Sequence, residues 1–275
     1  MTRWTVRRIR RPDAAVSLYC FPHAGGSPGE YVRWSDDLPG AQVWGVHLPG
    51  RTSRLAEPPF TRMRPLVDAL VSTVSFDGPC VFLGHSLGAL VAFETARELR
   101  RRGRPQPDRL IVSSCPAPPL LPVGEPVHGL PDDALLDEIE RRTGESLDEV
   151  RGDPGLRAAA LVGHRADLAL LESHRHEPDE PLDCPLTVLA GTRETSWTAR
   201  ASDWTAHTRA ATDVRLLPGG HFYFREARHE ALRAVREAVM SAAVSPVPPP
   251  DASPRTRRRP PGPPEPTGED RQWTE

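Results

Sequence analysis

Residues 80–101 constrain the fold more than any other stretch of this chain. Cys80-Val81-Phe82-Leu83 is a short apolar run of strand type, and Leu87–Arg101 carries apolar residues at helical spacing. Gly84-His85-Ser86 alone separates them. A buried strand that turns directly into a helix must lay that helix back across the sheet, and the next strand then runs parallel to the first. The rest of the chain repeats this rhythm. Strands are expected at Ser17–Phe21, Gln42–Leu48, Leu110–Ser114, Leu186–Ala190 and Val214–Leu217. Helices are expected at Met63–Val74, Trp197–Ala210 and Glu226–Ala243. The predicted fold class is therefore α/β, with a mostly parallel sheet covered on both faces by helices.

The turn itself reads Gly84-His85-Ser86-Leu87-Gly88, a G-x-S-x-G pattern. A serine forced into a sharp strand-to-helix turn projects its Oγ out of the sheet. Side chains two residues before and after it would collide, which favours glycine at both places. The pattern alone arises by chance in about one chain in ten of this length; the strand–turn–helix setting is what raises it. Ser86 is the candidate nucleophile, and the N–H of Leu87 is the first candidate oxyanion donor. A Gly-rich packing turn is the plainer alternative. A second donor is expected from a loop after an earlier strand, and Phe21-Pro22-His23-Ala24-Gly25-Gly26 supplies one, with Ala24 as the donor.

A serine nucleophile needs a base, and in hydrolases of this chain order the histidine follows the last strand. His221 does so, after Pro218-Gly219-Gly220. His23 and His85 lie in the site loops but in the wrong order, His174 and His176 fall in an inserted segment with no metal-binding set nearby, and His207 and His229 read as surface helix positions. The acid is expected after the strand before the last. Gly191-Thr192-Arg193-Glu194 occupies that place, with glutamate where a G-x-x-D pattern would have aspartate. Glu194 is the first choice. Asp203, on a predicted helix, competes, as do Asp179 and Asp183, which precede the strand and belong at its opposite end.

About 60 residues of mostly helical pattern separate Cys115 from Cys184. Asp132–Arg142 is one predicted helix, Ser146-Leu147-Asp148-Glu149 fits a capping box, and Asp153-Pro154 opens a longer helix. An insertion between two strands, over roughly 116–180, can act as a lid on a site at the strand ends, or simply add packing helices. The domain is read as 1–243. The remainder, 244–275, is expected to be disordered: Ser245–Glu275 holds 10 prolines and no Leu, Ile, Phe or Tyr.

Composition excludes several function classes. The net charge is -2, and the basic cluster in the tail is balanced, five arginines against five acids, so no nucleic-acid role is expected. All 35 basic residues are arginine, which removes lysine chemistry. No run approaches the ~20 apolar residues of a membrane span, and the Arg-rich start lacks an apolar segment of signal-peptide type. The four cysteines, Cys20, Cys80, Cys115 and Cys184, sit in or beside strands without metal-binding spacing and read as buried free thiols. The expectation is a cytoplasmic, monomeric protein without metal or cofactor.

Beyond single motifs, Phe21–Gly26 resembles the oxyanion loop of stand-alone (type II) thioesterases of polyketide and nonribosomal peptide synthesis, a family of the α/β-hydrolase superfamily. Leu48–Arg51 with Arg54–Pro59 resembles its next segment. Arg165-Ala166-Asp167 with Leu171-Glu172 resembles its lid helix, and Pro181–Leu186 its approach to the acid strand. Trp204–Thr208 and Pro218–Tyr223 resemble its C-terminal pattern. The similarity covers about residues 17 to 235. Two departures stand out: Glu194 in place of aspartate, and Gly163-His164 where bulkier apolar residues are expected. The resemblance implies hydrolysis of an acyl thioester from the phosphopantetheine arm of an acyl or peptidyl carrier protein, clearing aberrant acyl units. The residues alone imply acyl transfer. A small-molecule esterase or lipase, an acyltransferase and a non-catalytic carrier-binding protein remain the alternatives.

Overall fold

The apolar runs assemble into a single sheet. In a computed structural model, residues 3–121 and 124–244 are described. Seven strands, β1 (Thr5–Val6), β2 (Val16–Phe21), β3 (Ala41–Val46), β4 (Cys80–His85), β5 (Arg109–Ser113), β6 (Leu186–Gly191) and β7 (Thr212–Leu217), lie in the order β1-β3-β2-β4-β5-β6-β7. β1 pairs antiparallel with β3, and every other neighbouring pair is parallel. β1 was not foreseen, since two residues carry no readable period. Central β4 is buried at all six positions, as a strand covered on both faces must be, whereas β7 at the edge leaves Val214 and Leu216 exposed.

Helices α1 (Pro28–Val32), α2 (Met63–Thr73), α3 (Leu87–Arg101), α4 (Asp132–Thr143), α5 (Asp148–Gly152), α6 (Pro154–Ser173), α7 (Tyr223–Glu226) and α8 (Arg228–Val244) complete the fold. Leu66 and Leu70 of α2 and Leu90 and Phe93 of α3 pack on one face of the sheet. Tyr31 of α1 and Leu232 and Val235 of α8 pack on the other. The result is a three-layer, mostly parallel α/β arrangement of the α/β-hydrolase type.

The chain between β5 and β6 carries α4, α5 and α6. Leu135, Leu136, Ile139, Leu161 and Leu168 gather there into a small core of their own. Asp153 caps α6 through the N–H groups of Gly155 and Leu156, at 2.8 and 2.9 Å, with Pro154 in the first turn as its sequence indicates. The capping box at Ser146 does not form. Leu147 takes the N-cap position of α5, and Ser146 Oγ accepts from the nearer Asp148 N–H at 3.2 Å.

The expected α-helix at Trp197–Ala210 is a run of 3-10 turns over Thr198–His207, broken at Arg200. Trp197, Ala201 and Trp204 are buried at i, i+4 and i+7, which explains the helical reading. What holds the segment is tertiary: Trp204 Nε1 donates to Cys115 O at 2.9 Å. The Pro-rich segment Ser245–Glu275, expected to be disordered, lies outside the described residues.

Candidate active site

β4 ends at His85 and α3 begins at Leu87, so Ser86 makes the whole turn. Its backbone sits at φ 53°, ψ -122°, a conformation that costs a non-glycine residue about 1–3 kcal/mol. The Ser86 N–H donates to Ser113 O at 2.7 Å, which ties the turn to β5. Ser86 stays partly exposed while its neighbours His85 and Leu87 are buried. The collision foreseen for larger residues is real: a Cβ on Gly88 would lie 2.0 Å from Phe21 O and 2.6 Å from Pro22 O. The first turn of α3 is thus pressed against the loop after β2, which brings Ala24 to the same end of the sheet as Ser86. As the first helical residue, Leu87 has an N–H with no acceptor within its own helix.

His221 lies past β7, and its Nδ1 is 2.8 Å from Glu194 Oε1. Glu194 follows β6 in a tight turn, with its N–H bonded to Gly191 O at 3.1 Å. The other carboxylate oxygen, Oε2, accepts from Ser114 Oγ at 2.6 Å and from the Gly191 N–H at 3.3 Å. Ser114 Oγ also lies 3.1 Å from His221 O. Ser114 is thus a residue that motif reading missed. It stands one position past β5 with φ 48°, and a strained residue at a strand's C-terminal end is a signal visible only in three dimensions. The competing acids are occupied elsewhere: Asp203 pairs with Arg200, Asp179 with Arg100 and Arg101, and Asp183 with Arg209.

Residues 16–239 match the thioesterase domain family. The chain belongs to that family. It is 37% identical to the thioesterase PikA5 of Streptomyces venezuelae over 242 residues, 86% of this chain and 85% of the relative. Among solved structures, the type II thioesterase BorB from the borrelidin biosynthetic cluster superposes with a TM-score of 0.74 at 32% identity, covering 86% of this chain and 96% of BorB. RedJ, the thioesterase from the prodiginine pathway in Streptomyces coelicolor, gives 0.74 and 32%, covering 84% and 96%. The protein is a hydrolase of the type II thioesterase kind.

In this thioesterase the other histidines near the site have structural partners. His23 Nδ1 is 3.0 Å from Tyr31 Oη. His85 Nδ1 is 2.8 Å from Ser113 Oγ, which is in turn 2.7 Å from Tyr223 Oη. Burial drives both imidazoles well below the ordinary histidine pKa, and nearby cationic groups reinforce it, so both rings are neutral. The His85 and His221 ring centroids are 4.9 Å apart. His207 is not a surface position: it packs against Phe93 and Trp204, and burial lowers its pKa to about 4. All four cysteines are free and buried, and burial pushes Cys115 and Cys184 up to about 12. Among the described residues, no cluster of His, Cys, Asp and Glu could hold a metal, and no helix is long and apolar enough to cross a membrane.

Proposed function

We propose that this thioesterase hydrolyses acyl groups from the phosphopantetheine thioester of an acyl or peptidyl carrier protein, through Ser86, His221 and Glu194. The observation that carries this reading is the His221–Glu194 contact at the strand ends beside the strained Ser86 turn. Glu194 fixes the imidazole so that Nδ1 holds the proton and Nε2 is free to take the one from Ser86 Oγ. Oγ attacks the thioester carbonyl, and the N–H groups of Ala24 and Leu87 stabilise the oxyanion. The C–S bond then breaks, and the sulfur leaves as a thiol with the proton that His221 took from Oγ. Water, deprotonated by His221, then releases the acid and restores Ser86. The inserted helices α4–α6 form the lid; the relatives support a place in polyketide or nonribosomal peptide synthesis, and clearing of aberrant acyl units is the role that the resemblance to type II thioesterases implies. Four buried free thiols fit a reducing, cytoplasmic compartment.

A second serine–histidine pair, Ser113 and His85, has the right atom types at 2.8 Å. Its third member is Tyr223 rather than a carboxylate, and His85 is 0% exposed. A substrate carbonyl has no route to it, so we read the pair as a brace between β4, β5 and α7. Two variants separate the readings when acylated carrier proteins are followed by intact-mass spectrometry. Ser86→Ala is expected to lose hydrolysis by at least about 10³-fold. Ser113→Ala is expected to keep its turnover within about threefold while losing stability through two unpaired buried groups. The opposite pattern would move the nucleophile to Ser113. Turnover of the carrier substrate no better than that of its free pantetheine ester would favour a small-molecule esterase.

A further inference from the structure

A buried ion pair joins the inserted segment to the oxyanion loop, and no step of the proposed hydrolysis uses it. Asp167 stands on α6 and is 2% exposed; its partner Arg51, in the loop after β3, is 7% exposed, and the two meet at 2.7 Å. The free oxygen of the same carboxylate accepts the N–H of Gly25 at 2.7 Å, across 142 positions of sequence. Arg51 closes the ring through its second terminal nitrogen, which donates to Gly26 O at 3.1 Å. Carboxylate and guanidinium therefore grip the Gly25-Gly26 segment from its N–H and its C=O.

The same helix also presses on the loop from above. Gly25 has φ +71°, and a Cβ there would fall 2.1–2.6 Å from the ring atoms of His164. His164 lies one turn before Asp167 on α6, so both residues project from the same side of the helix. This gives His164 a packing role, whereas a Cβ on Gly163 would meet only Gly50 O at 3.9 Å and nothing in the structure explains the glycine there. The flat imidazole, its Nδ1 2.9 Å from Ala160 O, packs on a bare glycine backbone.

We propose that Asp167 is a positioning residue for the oxyanion hole, so that a docked α6 and a competent oxyanion loop are two aspects of one state. The inference rests on the assignment of Ala24 as an oxyanion donor. Gly25 directly follows Ala24, and the peptide joining them is the one whose N–H Asp167 holds. With that peptide anchored, the backbone torsions of Ala24 lose their freedom and its own N–H keeps one direction. With α6 displaced, Gly25 loses its acceptor and Arg51 is left as a buried charge without a counterion. The loop then keeps the turn bond from Gly26 N–H to His23 O at 2.9 Å but loses the contact that fixes the Ala24–Gly25 peptide.

The test compares Asp167→Ala, Asp167→Asn and Leu161→Ala in the full-length chain. Leu161 belongs to the small core of the inserted helices and is not among the groups that hold Gly25, Gly26 or Arg51, so its truncation loosens the packing of that segment without removing the grip. Three readouts are needed: kcat and KM on an acyl-pantetheine thioester, the rate at which a fluorophosphonate labels Ser86, and the thermal midpoint. Asp167→Ala should lower kcat and the labelling rate together by about 100-fold, with KM changed by less than about threefold, because an oxyanion donor acts in the transition state. Asp167→Asn keeps an acceptor for Gly25 but not the charge, and should lose about tenfold. It also replaces the alanine variant if that one does not fold. Leu161→Ala should lower the midpoint while leaving kcat within about threefold. A loss confined to KM, or an equal loss of kcat in Leu161→Ala at matched midpoint, would overturn the proposal. If the wild type is not labelled at Ser86, the assignment of the nucleophile fails first, and this inference falls with it.

Discussion

In the proposed triad Glu194 brings one methylene more than an aspartate, and its contacts suit that length. One carboxylate oxygen faces His221 Nδ1 at 2.8 Å while the other is held by Ser114 Oγ at 2.6 Å and by the Gly191 N–H. An aspartate on the same backbone would have to give up one of these contacts. Glu194→Asp is therefore expected to cost about tenfold in kcat. Glu194→Gln, which can offer an N–H where an acceptor is needed and disturbs the imidazole tautomer, should cost about 10³-fold. Ser114→Ala releases the carboxylate from one side only and should cost less than about tenfold. Combined with Glu194→Gln it should add almost nothing, because both act through the same imidazole. Steady-state kinetics of the four proteins on one acyl-pantetheine thioester decide the matter; additive losses would show that Ser114 acts elsewhere.

At the scale of elements, the β4–α3 turn and the loop after β2 are one unit, because Gly88 lies against the carbonyls of Phe21 and Pro22. Gly88→Ala would put its methyl at 2.0 Å from Phe21 O, and neither backbone can yield without moving Ser86 or Ala24. We expect a loss of about 2–3 kcal/mol in urea unfolding together with a fall in kcat; an unchanged kcat would mean that the two loops move independently. The need for glycine at 84 and 88 was legible in the sequence, since a tight turn writes itself as glycine and strands buried on both faces write themselves as apolar runs; that Gly88 meets the carbonyls of Phe21 and Pro22 was not. That His221 and Glu194 lie together was legible for another reason, as the chain order shared by hydrolases with a G-x-S-x-G turn places an acid and a histidine after the last two strands, and the two side chains do meet at 2.8 Å. Other features left no such trace. β1 is too short for a period, and Ser114 carries its strain in torsion angles that residue type does not reveal. The 3-10 run at Thr198–His207 keeps helical spacing while its hold on the fold comes from the bond between Trp204 and Cys115. Asp167 was noticed as part of a family segment, but its grip on Gly25 spans 142 positions and no local pattern announces it.

Across the whole molecule, burial lowers the pKa of six histidines, His23, His47, His85, His174, His176 and His207, and they set how folding depends on pH. His23 and His85 lie well below the ordinary histidine range, burial lowers His174 and His207 to about 4, and it moves His47 and His176 in the same direction. In the unfolded chain each would bind a proton as pH falls through about 6.5, whereas the folded chain refuses it until a lower pH. The unfolded state then binds more protons, so stability is fully present above pH 6.5 and declines as pH falls below it. The carboxylates with lowered pKa, such as Glu138 at about 2, act in the same direction but only below about pH 4.5. Glu94, raised by its burial beside Arg97, works the other way and offsets part of the loss once the pH nears the carboxylate range. Between pH 7.5 and 5.0 the histidines therefore dominate, and the thermal midpoint should fall by on the order of 5 °C. His207→Gln should flatten the slope, since glutamine has no proton to take up in the unfolded chain. A midpoint that holds steady or rises over this interval would mean that these imidazoles accept protons while folded, and the neutral state assigned to His85 beneath the His221 ring would have to be abandoned.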